Sequence, residues 1–96
     1  MRLVITRAAR TDLKDVGDSK WGPVQKKHYL AAMRQRFSTL REHPTLGRLR
    51  NELSSGYRSL LVGQHAIFCR IAKDEVVVVR VLHQRMDFRL YLSVHE

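Results

Sequence analysis

One cysteine, two prolines and no long apolar run define this chain first by what it lacks. A lone thiol, Cys69, excludes an internal disulfide framework and reads as a small core residue between Ile67 and Ile71. The longest uninterrupted aliphatic stretch, Val76 to Val79, falls far short of the roughly 20 residues a spanning helix needs. The start, Met1 to Arg7, carries no apolar stretch of signal-peptide length. A soluble, cytoplasmic protein is therefore expected, with no membrane partner. Acids are scarce too, nine against 18 lysines and arginines, for a net charge of +9 over 96 residues. A domain this basic commonly meets something acidic.

Catalytic motifs are absent as well. There is no cysteine pair, no H-E-x-x-H, no glycine-rich phosphate loop and no nucleophile elbow. The five histidines, His28, His43, His65, His83 and His95, never fall at i, i+4, so neither a metal nor another cofactor is expected. Asp74 and Glu75 are neighbours, but as turn residues, which leaves no carboxylate pair for hydrolysis. What remains near the C-terminus is His83, Arg85, Asp87, Arg89 and Tyr91, an inventory able to cleave RNA without metal. It lacks an obvious base, and the plainer reading solvates both arginines and lays the Tyr91 ring on a sheet. Trp21 reads as a lid over a helix turn and not as a base-stacking platform, so single-stranded nucleic-acid recognition has little support.

With 44% apolar residues the chain has enough for one core and a single domain over 1–96. Leu3-Val4-Ile5 predicts a short strand, and Thr6 an N-cap for a helix carrying Ala9, Leu13 and Val16 on one side, ended by Gly17. A second helix opens at Gly22-Pro23, runs a stripe of Leu30, Met33, Phe37 and Leu40, and stops before Pro44. The turn from Asp18 to Trp21 should fold the two into an antiparallel hairpin. The stretch from Pro44 to Gly56 reads as a polar loop. Then the period changes: Tyr57 to Val62, His65 to Ala72 and Val76 to His83 form an antiparallel meander. Val76 to Leu82 is apolar on both parities, so this last strand belongs inside a sheet with both faces covered. Alternation places Ile67, Cys69 and Ile71 with Val77, Val79 and Val81 under the helices. Ala66, Phe68 and Arg70 then face the other way beside Val78, Arg80 and Leu82. The fold class is α+β, a strand and helix hairpin packed on a three-stranded antiparallel sheet.

That element order, with particular residues, resembles the ParE toxins of the RelE/ParE superfamily of toxin–antitoxin systems. The residues are Ala9 with Asp12-Leu13, Trp21-Gly22, Tyr29, Phe37, Leu40, His43-Pro44, Gly47, Gly56-Tyr57-Arg58, His65-Ala66-Ile67-Phe68 and, most specifically, Arg80-Val81-Leu82-His83-Gln84-Arg85-Met86-Asp87. The resemblance implies a non-enzymatic toxin that inhibits DNA gyrase and blocks replication. It also implies a ParD-like antitoxin that wraps an acidic C-terminal segment around it. Candidate gyrase contacts are Arg80, Arg85, Met86, Phe88, Arg89, Tyr91 and Leu92. Lys26, Lys27 and Arg34 are candidates for the antitoxin, within a stretch from Lys20 to Arg41 that holds no acid. The alternative is the RelE-like branch of ribosome-dependent messenger ribonucleases, echoed in Arg58, Arg70, Arg85 and Tyr91. A non-toxic interaction module is the third reading.

Overall fold

A computed structural model of the chain describes residues 1–17, 22–53 and 56–92. The expected turn from Asp18 to Trp21, and the lid assigned to Trp21, lie outside the described residues. The elements are β1 (Arg2–Ile5), α1 (Arg7–Gly17), α2 (Pro23–Glu42), β2 (Arg48–Leu49), β3 (Arg58–Val62), β4 (His65–Ala72), β5 (Glu75–His83) and α3 (Phe88–Leu92).

Both long helices begin as their caps dictate. The Thr6 hydroxyl accepts the Ala9 amide at 3.0 Å and donates to the Val79 carbonyl at 2.7 Å, so one side chain caps α1 and ties it to β5. At α2 the extended backbone of Gly22 leads directly into Pro23, whose missing amide costs nothing in a first turn. Met33, Phe37 and Leu40 are buried on one side of α2, while Leu30 is only half-buried.

The sheet is larger than the expected three-stranded meander. It has five strands in the order β1-β5-β4-β3-β2. The N-terminal strand pairs in parallel with β5, from Arg2 opposite Glu75 to Ile5 opposite Val78, so the sheet is mixed. Within the segment expected as loop, Arg48 and Leu49 add a short edge strand to β3. The β5 strand thus lies between β1 and β4, as its two-sided apolar pattern requires.

The expected face assignment is wrong for half of β5, and a bulge is the reason. Phe68 lies opposite Arg80, yet Cys69 lies opposite Val78, so Val79 has no partner across the ladder. One extra residue reverses the alternation. Val76, Val78 and Val81 therefore share the helix-side core with Ile67, Cys69, Met33, Phe37 and Leu40. Val77 and Val79 face the opposite side, with Tyr57, Ala66, Phe68 and Leu82. Ile71, expected under the helices, is 39% exposed. That opposite face has its own cover: Leu92 is fully buried there, and Phe88 meets Phe68 edge-on with centroids 4.7 Å apart. The tail is thus a short helix that closes part of the second face.

Candidate functional site: a basic interaction surface

The bulge also builds an ion pair. Where β1 ends at Ile5, β5 continues without a neighbour on that side, and its exposed ladder positions need other partners. Asp12 of α1 fills the place. Its carboxylate accepts the Val81 amide at 2.9 Å and both Nε and Nη2 of Arg80, at 2.8 and 2.9 Å. The two side chains are only 16% and 10% exposed. The bond to Asp12 raises the Arg80 pKa above its ordinary value. The same guanidinium lies 5.4 Å from the Tyr91 ring centre, so Arg80 reaches from α1 around the strand edge to α3.

This placement divides the gyrase candidates. Arg80 is engaged by Asp12, Leu92 is core, and Phe88 and Tyr91 are half-buried against the second face. Arg85, Met86 and Arg89 are exposed, and so is Leu90 at 68%, which the sequence reading passed over. An exposed leucine in a segment otherwise read as cover carries no sequence signal; only the helical register of α3 turns it outward.

The antitoxin candidates lie on α2. Lys27 and Arg34 are exposed and two turns apart, hence on one side of the helix. Lys26 is half-buried, its stem running past Gly17. Arg41 continues the same i, i+7 row, and exposed Arg7, Arg10 and Lys14 make a second basic row on α1. Both rows were legible as helical spacing once the helix bounds were in hand.

The four residues of the ribonuclease reading are not brought together. Arg58 lies opposite Cys69, which faces the helices, and its guanidinium is bound to the carbonyls of Thr45 and Gly47. Arg70, next to Cys69 along β4, points to the other side, lining a cavity of 220 Å³ with Tyr57, Val77 and Arg80. Arg85 follows the far end of β5, about 20 Å along the strand from Val77, which pairs with Arg70. Tyr91 sits under Arg80.

Two further clusters stand out. At the end of the sheet nearest α1, the Tyr29 hydroxyl bonds the Val62 carbonyl at 2.6 Å, the Gln64 amide at 3.0 Å and His65 Nδ1 at 2.7 Å. His65 and His83 stack edge-on at 5.2 Å, beside a cavity of 330 Å³ that Asp12, Asp15 and Met86 also line. Burial, then the neighbouring His83, lowers the His65 pKa, while burial raises that of Tyr29. Among the described residues no group of three or more potential ligands could hold a metal ion. Cys69 is buried, its thiol pushed up to about 11 by desolvation, which suits a core residue and not a nucleophile. The second cluster centres on Arg50, stacked near Phe68 and Phe88 at 5.8 and 5.6 Å. No helix among the described residues is long and apolar enough to cross a membrane.

The chain is thus a small, strongly basic domain, with two long helices on one face of a five-stranded sheet and a cationic row on each helix. Comparison with known proteins narrows the class. The family described as the ParE toxin of the type II toxin–antitoxin system parDE matches residues 3–88. The chain is 36% identical to Toxin ParE1 of Mycobacterium tuberculosis H37Rv over 90 residues, covering 90% of this chain and 92% of that protein. It is 33% identical to Toxin ParE1 of Caulobacter vibrioides over 92 residues, covering 93% and 95%. The chain belongs to the ParE toxin family. Among solved structures, it superposes on the toxin–antitoxin complex RelBE2 of M. tuberculosis with a TM-score of 0.59 at 30% identity, covering 88% of this chain and 92% of that one. The fold alone is shared with a chromosomal ParDE system of P. aeruginosa, at a TM-score of 0.74 and 22% identity over 86% and 95% of the two chains.

Proposed function

We propose that this protein is the toxin of a type II pair that inhibits DNA gyrase without enzymatic activity of its own, and that a ParD-like antitoxin neutralises it. The observation that carries the reading is the family match over nearly the whole chain. The charge supports the antitoxin part: a +9 chain with cationic rows on both long helices suits an acidic segment that folds as it binds. We place that segment along α2 at Lys26, Lys27 and Arg34, in the cytoplasm where both partners are made. For gyrase, Arg85, Met86, Arg89 and Leu90 present cations beside apolar groups, the composition of interface hot spots worth ~2 kcal/mol or more each. Phe88, Tyr91 and Arg80 hold this segment from beneath. The ribonuclease alternative has its four residues spread over two faces and two ends of the sheet, and no observation favours it.

The test is a supercoiling reaction with purified gyrase, relaxed plasmid and ATP. Antitoxin-free protein should stop supercoiling and accumulate cleaved plasmid, and the product of the adjacent reading frame should reverse both effects. Normal supercoiling in a molar excess of folded protein would exclude gyrase as the target. Reversing Lys26, Lys27 and Arg34 together should slow antitoxin association and flatten its salt dependence.

A further inference from the structure

The open face of the sheet, opposite the helices, holds a cavity of about 320 Å³ at its β2 edge. Arg48, Arg50, Ser59, Leu61, Gln84 and Phe88 line it. Arg50 is its fixed cation. Its side chain is 16% exposed, Nη1 donates to the Ser59 hydroxyl at 3.1 Å, and the guanidinium lies against two aromatic rings. Its Nε is taken by Glu52, two residues on, at 2.6 Å. Glu52, the acid at this edge among the described residues, is 47% exposed, and its carboxylate is held by Arg50 and by its own backbone amide. An ion pair that open is easily exchanged for another carboxylate.

Beside the cation lies an apolar step and an open place in the ladder. Leu61 is 57% exposed on the same face as Ala66 and Phe88. The Arg50 amide donates to the Tyr57 carbonyl, so the main chains of Tyr57 and Ser59 point toward β2. By the same alternation the main chain of Leu61 points that way too, one step beyond the place where β2 stops at Arg48. An extended strand there would meet a backbone pair, a leucine and two arginines in sequence.

We infer that this edge is a receptor for an acidic peptide segment with alternating apolar residues, and that Glu52 is its internal stand-in, displaced when a partner carboxylate takes Arg50. A carboxylate is favoured over a phosphate because Arg50 already holds one in this geometry. The natural carrier rests on the antitoxin reading above; the site itself does not.

The test is fluorescence anisotropy on the whole protein with a labelled peptide of alternating glutamate and leucine. Glu52→Gln should tighten binding about 2–5-fold, by removing the internal competitor. Leu61→Ser should weaken it, and Arg50→Gln should weaken it about tenfold or more. Asp74→Asn, the same charge change in the β4–β5 turn at the far end of the sheet, should leave it within about twofold. Should Arg50→Gln unfold the protein, Glu52→Gln and Leu61→Ser decide alone, since both alter exposed side chains. The inference falls if Glu52→Gln has no effect or only that of Asp74→Asn. It falls equally if a glutamate–serine peptide or a single-stranded oligonucleotide binds as tightly with the same dependence on these variants. Antitoxin binding read in parallel separates the two proposals: antitoxin blind to Glu52→Gln and Leu61→Ser leaves the peptide site standing with another carrier. Antitoxin that fails to bind at all overturns the functional reading and leaves the peptide result intact.

Discussion

Replacing Asp12 with alanine should unfold this protein more readily than any single change on its surface. The carboxylate receives three hydrogen bonds, two from Arg80 and one from the Val81 amide. Its removal leaves a guanidinium with 16% of its side chain exposed and a buried amide, neither with its partner. Breaking a buried pair costs roughly 3–5 kcal/mol, and an orphaned buried donor about 1–3 kcal/mol. The two overlap and Arg80 keeps some water, so about 3–4 kcal/mol is expected. Against a typical total of roughly 5–15 kcal/mol that is a large share. With a urea slope of about 2 kcal/mol/M, the midpoint of unfolding should fall by about 1.5–2 M. Asp12→Asn keeps an acceptor and should cost about half as much. Arg80→Met, combined with Asp12→Ala, should show a coupling of about 2 kcal/mol in a double-mutant cycle. A solvent-exposed pair would give about 0–1 kcal/mol instead. A loss under about 1 kcal/mol for Asp12→Ala, or no coupling to Arg80, would refute the account of the strand edge.

Gly63 turns between β3 and β4 with φ of +54°, and a Cβ there would lie 2.5 Å from the Tyr29 ring; Gly63→Ala should lower stability by about 1–3 kcal/mol, measured by thermal unfolding. The His65 pKa is lowered in the folded state, so the unfolded chain binds more protons below the ordinary histidine value of about 6.5. The stability His65 contributes should therefore be complete above that pH and be lost as pH falls through the window below it. His65→Asn should flatten that part of the urea midpoint against pH. Leu92→Ala should cost about 2–5 kcal/mol, and truncation after Asp87 should expose Phe68, shift the thermal midpoint down and increase binding of a hydrophobic dye.

Caps and periods made both long helices readable. Thr6 and Gly22-Pro23 have their effect within one turn, and Met33, Phe37 and Leu40 repeat at a spacing only a helix satisfies. The central place of β5 was equally plain, because a strand apolar on both parities has nowhere else to go. The face of each β5 residue was not, since Val79 looks like its three valine neighbours and nothing local marks it as the bulge. Its cause is distant: the Thr6 hydroxyl takes its carbonyl, and Asp12 then takes the Val81 amide. The strand at Arg48 escaped for a related reason, its two residues being fixed by pairing with Ser59 and Arg58 and not by any pattern of their own. Lys27 and Arg34 could be placed on a shared helix side from spacing alone. Arg50 could not, because a loop residue acquires its aromatic neighbours only when α3 folds back over the second face.

The same bulge bears on how the C-terminal segment can act on a partner. A five-residue helix has too few internal hydrogen bonds to persist by itself. Here tertiary contacts hold it: Leu92 in the second core, Phe88 edge-on to Phe68 and against the Arg50 guanidinium, and Tyr91 beneath the Arg80 guanidinium. The last exists because the extra residue at Val79 brings Arg80 to the strand edge, where Asp12 fixes its direction. Loosening Asp12 should therefore loosen α3, although the two sit on different sides of the sheet. If Arg85, Met86, Arg89 and Leu90 grip a partner as a preformed surface, Asp12→Asn should weaken that grip mainly through faster dissociation, at temperatures where the protein is still folded. Surface plasmon resonance against the target, run well below the unfolding midpoint, reads this directly. An unchanged dissociation rate in Asp12→Asn would mean that α3 binds without needing the order that Arg80 gives it.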